Sequence, residues 1–269
     1  MASKHLGVVG SPIAHSLSPR IHAAAYKRLK LDWSYSAFEV TEAEFVTFLR
    51  EHNAVMHGLS VTMPLKESAF RLADQVDAIS NATQSVNTLS LSGGAIRGFN
   101  TDVFGILAAL ESFLKATPTT VAILGNGATA RSVVLALRSL APEAELTIYG
   151  RSTDKVAALA QSSLAQPLRP RVAHLNAFDG RFDLTINTMP TGAANPLKIG
   201  GVTGQLFEVG YGQPSSFNAH WSSADRIDGL EMLIWQALAQ IRIFVNGSPS
   251  LVLDQELKVL KAMRKAVDR

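Results

Sequence analysis

The sequence contains no cysteine among its 269 residues. Disulfides, thiolate nucleophiles and cysteine-based metal centres are therefore excluded, and no metal site is predicted. The sequence also lacks an uninterrupted apolar run of the ~18 residues that a membrane span needs. Residues 1–5 lead into a strand without the apolar core of a signal peptide. From these absences we expect a cytoplasmic protein that does not bind membranes.

Charge of either sign is scarce, since only 17% of the residues are charged and the net charge is +3. Hydrophobic residues make up 47% of the chain, which is typical of a well-packed α/β enzyme. The densest basic run lies on the predicted C-terminal helix: Lys258, Lys261, Arg264, Lys265 and Arg269. Such a run is typical of a solvated helix face, so we expect no nucleic-acid partner and favour a small anionic substrate.

One glycine-rich stretch organises the chain. Val121–Leu124 is an apolar run typical of a buried parallel strand, and residues 132–140 carry apolar side chains at helical spacing. The motif Gly-x-Gly-x-x-Ala lies between them and consists of Gly125, Asn126, Gly127, Ala128, Thr129 and Ala130. Its glycines permit a tight turn and close approach of a pyrophosphate, which the following helix N-terminus attracts. The pattern predicts dinucleotide binding; the alternative is a glycine-rich turn without a ligand.

The first hundred residues are predicted to form an α/β unit without a nucleotide motif. The expected elements are strands at 6–10, 33–40 and 58–62, a helix from Ser18–Pro19 to about Leu29, a helix opened by a capping box at Thr41–Glu44, and a hairpin around Gly93–Gly94. Later elements are predicted as helices at 103–114, 229–245 and 250–267, strands at 146–149, 184–187 and 206–209, and a loop at 161–171.

The simplest fold consistent with these elements is a two-domain α/β architecture. We expect a substrate domain made of residues 1–102 and 228–269, in which the C-terminal helices return to the first domain. Residues 103–227 are expected to form a Rossmann-type dinucleotide-binding domain.

Several short motifs follow one another in a fixed order. They are GSPIAHSLSP at 10–19, SVTMPLK at 60–66, SVNT at 85–88, GFNTDVFG at 98–105 and DGLEMLIWQ at 228–236. Together with the glycine-rich turn, this series closely resembles the shikimate dehydrogenase family over nearly the whole chain. The resemblance implies reversible reduction of 3-dehydroshikimate to shikimate with NADPH, in aromatic amino-acid biosynthesis.

The resemblance also implies roles for individual residues. Lys66 corresponds to the family's catalytic lysine and Asp102 to its partner carboxylate. A lysine ammonium can give a proton to the forming alkoxide while the carboxylate orients it. The remaining substrate contacts are implied for Ser16 and Ser18 at the carboxylate, for Thr62, Asn87 and Gln236 at the ring oxygens, and for Tyr211 nearby.

Taken singly, these residues have plainer interpretations. Ser18 before Pro19 and Asp102 before residue 103 both fit helix caps, and Lys66 fits a surface lysine of a helix. His15 and His22 are interpreted as an ordinary cap-region side chain and an ordinary helix-face residue.

The end of the second strand of the dinucleotide domain indicates the choice of cofactor. NAD-specific domains carry an acidic residue there, whereas this chain has Arg151, Ser152 and Lys155, which suit the 2′-phosphate of NADP. Gly150 replaces the asparagine usual in the family. The resemblance further implies that Asn187, Thr188 and Met189 line the nicotinamide end. We expect a monomer or a homodimer.

Three alternatives remain open from the sequence. The first is a quinate/shikimate dehydrogenase of the same fold that uses NAD, and the second is a dehydrogenase of an amino analogue. The third is a non-catalytic NADP-binding sensor, against which the presence of both Lys66 and Asp102 argues.

Overall fold

The computed structural model describes residues 3–212 and 215–268, and the chain divides into two compact units. Unit 1 comprises Met1–Gly105 and Leu233–Arg269, and unit 2 comprises Ile106–Met232. Each of the two boundaries between the units falls within a continuous helix.

Unit 1 begins with alternating strands and helices. Its elements are β1 (Lys4–Gly10), α1 (Ser18–Leu29), β2 (Trp33–Glu39), α2 (Phe45–His52), β3 (Gly58–Val61), α3 (Lys66–Leu72), β4 (Gln75–Val76), α4 (Ala78–Thr83), β5 (Thr88–Ser90), β6 (Arg97–Phe99) and the start of α5 (Asp102–Phe113). The strands form one sheet in the order β2-β1-β3-β5-β6-β4. The first three are parallel, whereas β5 runs antiparallel to β3 and β6 and forms the predicted hairpin.

Unit 2 is a doubly wound α/β sheet. Its elements are β7 (Thr120–Leu124), α6 (Ala128–Leu140), β8 (Glu145–Gly150), α7 (Thr153–Ala160), β9 (Arg171–His174), β10 (Leu184–Asn187), β11 (Gln205–Glu208) and β12 (Arg226–Ile227). Every pairing is parallel, in the order β12-β11-β10-β7-β8-β9. Read from the other edge, this is the Rossmann order 3-2-1-4-5-6.

The last two helices are α8 (Leu230–Asn246) and α9 (Glu256–Lys265). In unit 1, Ile234, Leu238 and Ile241 of α8 pack in one buried cluster with Leu6 of β1 and Ile21 of α1. A second cluster contains Val9, Phe45, Leu49, Leu59 and Val61. Since Leu6 and Val9 are three residues apart on one strand, their side chains point to opposite faces, and both faces of the sheet are covered.

Some predicted boundaries are wrong. The last helix begins at Glu256 and not at 250, because Gln255 has a left-handed φ of 48° and Asn246 binds the carbonyl oxygens of Leu251 and Val252 in a loop. The predicted loop at 161–171 contains a short 3₁₀ turn at Gln166–Leu168, and its last residue already belongs to β9.

Two predicted caps also differ from the structure. Leu17, not Ser18, is the N-cap of α1, so Ser18 is the first helical residue. At Thr41–Glu44, the Glu44 carboxylate accepts from the Thr41 N–H at 2.9 Å, as a capping box requires. The Thr41 hydroxyl donates to the same carboxylate at 2.7 Å, however, and α2 begins only at Phe45. Within the described residues, no helix is long and apolar enough to cross a membrane.

Candidate active site

Lys66 and Asp102 form a buried ion pair in unit 1. Nζ of Lys66 lies 2.6 Å from Oδ2 of Asp102, and the side chains are 14% and 4% exposed. Lys66 is the first residue of α3, and Asp102 is the first residue of α5. The carboxylate therefore also lies at a helix N-terminus, where the helix dipole favours negative charge. It accepts from Lys66 and does not act as the simple cap that its position alone suggests.

Asn87 holds the other oxygen of this carboxylate. Its Nδ2 donates to Oδ1 of Asp102 at 2.7 Å, while its Oδ1 accepts from the main-chain N–H of Thr101 at 2.9 Å. Because a main-chain N–H can only donate, the orientation of the Asn87 amide is fixed. Gln236 on α8 completes the group, with Oε1 3.3 Å from Nδ2 of Asn87. The structure thus brings together four of the predicted residues, although Asn87 already uses its amide within the group.

The predicted carboxylate-binding serines lie around the start of α1. Oγ of Ser16 accepts from the main-chain N–H of Ser18 at 3.3 Å, so Ser16 supplies the hydrogen bond at this helix start. The preceding loop is held by Glu39, whose carboxylate accepts from the Ser11 hydroxyl at 2.6 Å and from the Ile13 N–H at 2.8 Å. The capping role considered for Ser18 is therefore wrong.

Thr62 lies directly beside the loop that follows β1. A Cβ at Gly10 would overlap Cγ2 of Thr62 and lie 2.8 Å from the carbonyl oxygen of Met63, so this position requires glycine. The main-chain N–H of Thr62 donates to Val9 at 2.9 Å. The first two motifs are thereby packed against each other.

Tyr211 belongs to unit 2, unlike the other predicted substrate residues. It follows β11 and is partly buried. Tyr211 and the other predicted substrate residues therefore do not lie in the same unit. The next two residues of its motif, Gln213 and Pro214, lie outside the described residues.

The glycine-rich turn connects β7 to α6 in unit 2. Gly125 has a φ of +112°, and a Cβ there would lie 2.5 Å from Oγ1 of Thr188. Gly127 is the N-cap of α6, and a Cβ added there would meet no heavy atom of the described chain within 4 Å. Ala128, Thr129 and Ala130 form the first turn of the helix. An open, side-chain-free backbone before a helix N-terminus suits a pyrophosphate, so these residues fit a dinucleotide.

The chain after β8 carries the predicted 2′-phosphate residues. Arg151, Ser152 and Lys155 are all exposed, and Ser152 precedes the first residue of α7. A Cβ at Gly150 would lie 2.5 Å from Cγ2 of Val156, so glycine here lets α7 pack closely against the strand. The exposed cations fit a charged phosphate of the adenine ribose.

The segment after β10 lies beside the glycine-rich turn. The hydroxyl of Thr188 donates to the carbonyl oxygen of Leu124 at 2.9 Å, and Met189 lies near Gly125. Asn187 is buried, and its Nδ2 donates to Glu208 at 2.8 Å while its Oδ1 accepts from the Met189 N–H at 3.1 Å. Thr188 and Met189 thus adjoin the turn, whereas the Asn187 side chain is engaged in the interior of the unit.

Sequence reasoning missed part of the polar group in unit 1. His22, interpreted as an ordinary helix-face residue, is fully buried and hydrogen-bonded to Gln240, which in turn contacts Asn87 and Ser60. One signal was available: Gln240 follows Gln236 by four residues on a helix, so the two share a face.

The Rossmann strand order, the dinucleotide turn and the buried lysine–carboxylate pair define an oxidoreductase of the α/β class that uses a dinucleotide. The profile of the shikimate dehydrogenase substrate binding domain matches residues 8–89. The shikimate dehydrogenase (NADP(+)) of Synechocystis is 33% identical over 265 residues, which cover 91% of this chain and 91% of the relative. That of Leptospira interrogans is 31% identical over 286 residues, covering 98% and 96%.

Solved structures agree. The crystal structure of shikimate 5-dehydrogenase from Thermus thermophilus in complex with NADP(H) and shikimate matches with a TM-score of 0.81 and 28% identity, over 98% of this chain and 99% of that chain. The chain belongs to the shikimate dehydrogenase family. The family and the fold class predicted from the sequence are thereby confirmed.

Proposed function

We propose that this protein catalyses the reversible NADP-dependent reduction of 3-dehydroshikimate to shikimate. The names of its relatives support this activity and cofactor. The observation that carries the proposal is the buried pair of Lys66 and Asp102, 2.6 Å apart and braced by Asn87. Ketone reduction needs one hydride and one proton, and this pair is suited to deliver the proton.

The proton steps follow from the chemistry of the pair. During reduction, Nζ of Lys66 donates a proton to the ketone oxygen as it gains negative charge, which leaves a hydroxyl on the product. During oxidation, the neutral amine accepts the hydroxyl proton. Asp102 holds Nζ in place and lowers the cost of its charge in a buried site. Bound NADP would supply the hydride for the ring carbon, or accept it in the reverse direction.

Substrate contacts are proposed for the other residues of unit 1. The hydroxyls of Ser16 and Ser18 bind the substrate carboxylate, and Thr62, Asn87 and Gln236 contact the ring oxygens. Tyr211 adds a contact from the segment after β11. In this proposal residues 1–102 and 228–269 form the substrate-binding domain.

Residues 103–227 form the NADP-binding domain in the same proposal. The backbone of Gly125–Ala130 holds the pyrophosphate, and Asn187–Met189 line the nicotinamide end. Arg151, Ser152 and Lys155 hold the 2′-phosphate, which supports NADP over NAD because the position lacks an acidic residue.

A spectrophotometric assay at 340 nm tests the proposal with shikimate or quinate as substrate and NADP⁺ or NAD⁺ as cofactor. We expect the largest kcat/KM for shikimate with NADP⁺. Faster turnover of quinate with NAD⁺ would establish the quinate/shikimate dehydrogenase alternative. NADP binding without turnover of either substrate would favour a sensor. Light scattering of the same preparation tests the expected monomer or homodimer.

A further inference from the structure

Gln240 has a buried side-chain amide in unit 1 that contacts Asn87 of the candidate active site. It is 2% exposed and makes hydrogen bonds on both sides of its amide group. Its Nε2 donates to the main-chain oxygen of Asn87 and to Oγ1 of Thr88, each at 3.1 Å. Its Oε1 accepts from the hydroxyl of Ser60 at 2.7 Å and lies 3.3 Å from Nε2 of His22.

The chemistry of these partners fixes the orientation of Gln240. The main-chain oxygen of Asn87 can only accept, so the amide nitrogen must face it and the amide oxygen must face Ser60 and His22. Burial lowers the pKa of His22 to about 3, so its imidazole is neutral. Its single hydrogen is then on Nε2, which faces the amide oxygen, and its Nδ1 accepts from the Tyr26 hydroxyl at 3.1 Å.

A short, directional chain of hydrogen bonds links Gln240 to the ion pair. The hydroxyl of Thr88 accepts from Gln240 and donates to Oδ1 of Asn87 at 2.8 Å. Nδ2 of Asn87 donates to Asp102 at 2.7 Å. Asp102 in turn accepts from Lys66 at 2.6 Å. Gln240 also donates to the main-chain oxygen of Asn87, and Asn87 also donates to Thr101, so loss of one link weakens the restraint on the next residue without removing all of its hydrogen bonds.

Gln240 also anchors Asn87 to more than one element. Asn87 lies just before β5, Ser60 is on β3, and His22 is on α1. A single buried side chain on α8 therefore ties these three elements together at Asn87, whose side chain donates to the carboxylate of Asp102. Within a dry interior such hydrogen bonds are strong and hold their partners in one arrangement.

We propose that Gln240 is a positioning residue for the reaction, acting through Thr88 and Asn87 to hold Asp102 and Lys66 in their reactive arrangement. This inference rests on the proposed function. Gln240 itself does not touch the substrate, so its loss lowers kcat more than it raises the KM for shikimate. Small displacements of reacting groups commonly cost one to two orders of magnitude in rate.

The test compares Gln240→Met with Tyr26→Phe. Methionine keeps the length of the side chain without its hydrogen bonds, and we expect kcat to fall roughly 10- to 100-fold while the KM for NADP⁺ is unchanged. Tyr26→Phe is the matched control, because it removes only the hydrogen bond at Nδ1 of His22, in the same buried network but at the end remote from Asn87. It should lower the thermal midpoint and leave kcat unchanged.

Thr88 supplies a second, independent variant in case Gln240→Met does not fold. Valine has the shape of threonine and suits a strand, so Thr88→Val removes the hydroxyl link from Gln240 to the Asn87 side chain and keeps the bond from Gln240 to the Asn87 main-chain oxygen. We expect it to lower kcat by a similar factor, and Thr88→Ser, which keeps the hydroxyl, to restore most of the rate. If Gln240 acts through Thr88, the double variant Gln240→Met/Thr88→Val is hardly slower than either single variant.

Wild-type turnover is measured first, so that failure of the proposed function can be distinguished from failure of the role proposed for Gln240. A wild-type protein that oxidises shikimate, with Gln240→Met and Thr88→Val variants as fast as Tyr26→Phe, overturns the role of Gln240 alone. Full additivity of the two changes overturns it as well. A readout without turnover is the side-chain NH₂ signal of Asn87 in protein labelled with ¹⁵N-asparagine. It should shift or broaden in Gln240→Met and stay unchanged in Tyr26→Phe.

Discussion

The two units hold their predicted functional side chains in contrasting ways. In unit 1, Lys66, Asn87, Asp102 and Gln236 are largely buried and joined to one another by hydrogen bonds. In unit 2, Arg151, Ser152 and Lys155 are exposed, and the turn at Gly125–Ala130 offers mainly backbone. Unit 1 therefore contains a prearranged polar site. Unit 2 contains a turn without large side chains and, after β8, exposed arginine and lysine side chains.

This contrast matches two different tasks. Proton transfer requires groups already held at the correct distance, because reorganisation during the reaction raises the barrier. Binding a charged phosphate tolerates adjustable side chains, since long cations can order themselves when the ligand arrives. Changes in unit 1 should therefore act mainly on kcat or the KM for shikimate, and changes near Arg151 on cofactor affinity.

The largest expected effect comes from Lys66→Ala. We expect kcat to fall by roughly 10²–10⁴, the usual contribution of a positioned acid or base, with little change in the KM for shikimate. Lys66→Arg is the informative control, because it keeps a cation beside Asp102 that does not give up its proton. Both variants should be slow under steady-state assay, and a Lys66→Ala enzyme with near-wild-type kcat would refute the assigned role.

The second effect concerns the substrate carboxylate. Ser16→Ala combined with Ser18→Ala should raise the KM for shikimate at least ~150-fold, since each hydrogen bond to a charged group contributes about 1.5–3 kcal/mol and two are lost. Ser11→Ala is a control in the same loop, because its hydroxyl binds Glu39 instead. An unchanged KM in the double variant, with only a lower thermal midpoint, would assign these serines to the structure of the loop.

Periodicity and turn signals predicted most of the fold. The parallel sheet of unit 2 follows from apolar runs such as Val121–Leu124, and the hairpin follows from Gly93–Gly94. The two-residue strands β4 and β12 are too short to carry a pattern. The start of α9 was missed because Leu251–Leu253 continue an apolar pattern, while the loop is held by side chains from α8.

The active site could be predicted only through the resemblance. Lys66 and Asp102 are 36 residues apart in the chain, and nothing in their spacing brings them together. Gln240 is 153 residues from Asn87, which it contacts. Such long-range contacts depend on how helices and strands pack, so two glutamines on one face of a largely apolar helix give only a weak hint.

Glu208 in unit 2 is an exception to the contrast between the two units, because its carboxyl group is buried. Glu208 accepts from Asn187 and from the main-chain N–H of Gly210, at 2.8 and 3.1 Å, but these donors are neutral. Burial raises its pKa from 4.5 to about 7, and the hydrogen bonds only partly offset this. Asp102, by comparison, has a lysine beside it.

The raised pKa predicts how stability depends on pH. The folded protein holds the Glu208 proton more tightly than the unfolded chain does, so this contribution is complete below pH 4.5 and is lost as pH rises through 7. The shift corresponds to about 3 kcal/mol. Denaturant unfolding should show that the stability of wild type relative to Glu208→Gln falls by this amount between pH 4.5 and 8. The exposed Glu145→Gln is the control, and an equal pH dependence in all three proteins would contradict the prediction.

The smallest expected effect concerns Arg151, in the exposed part of unit 2. A 2′-phosphate carries up to two negative charges, so Arg151→Ala should cost roughly 1.5–2.7 kcal/mol of NADP binding, or about 10- to 100-fold in affinity, and leave NAD binding nearly unchanged. Because Arg151 is exposed, the preference of the wild type for NADP should also shrink as salt is raised.

Arg138→Ala is a matched control, since Arg138 is an exposed arginine about 15 Å along α6 from Ala128, away from the turn. The measurement is kcat/KM for both cofactors at low and high salt in the three proteins. Equal loss of NADP and NAD on removing Arg151 would show that it supports the fold of the site and does not choose the cofactor, and the contrast between the two units would then rest on the glycine-rich turn alone.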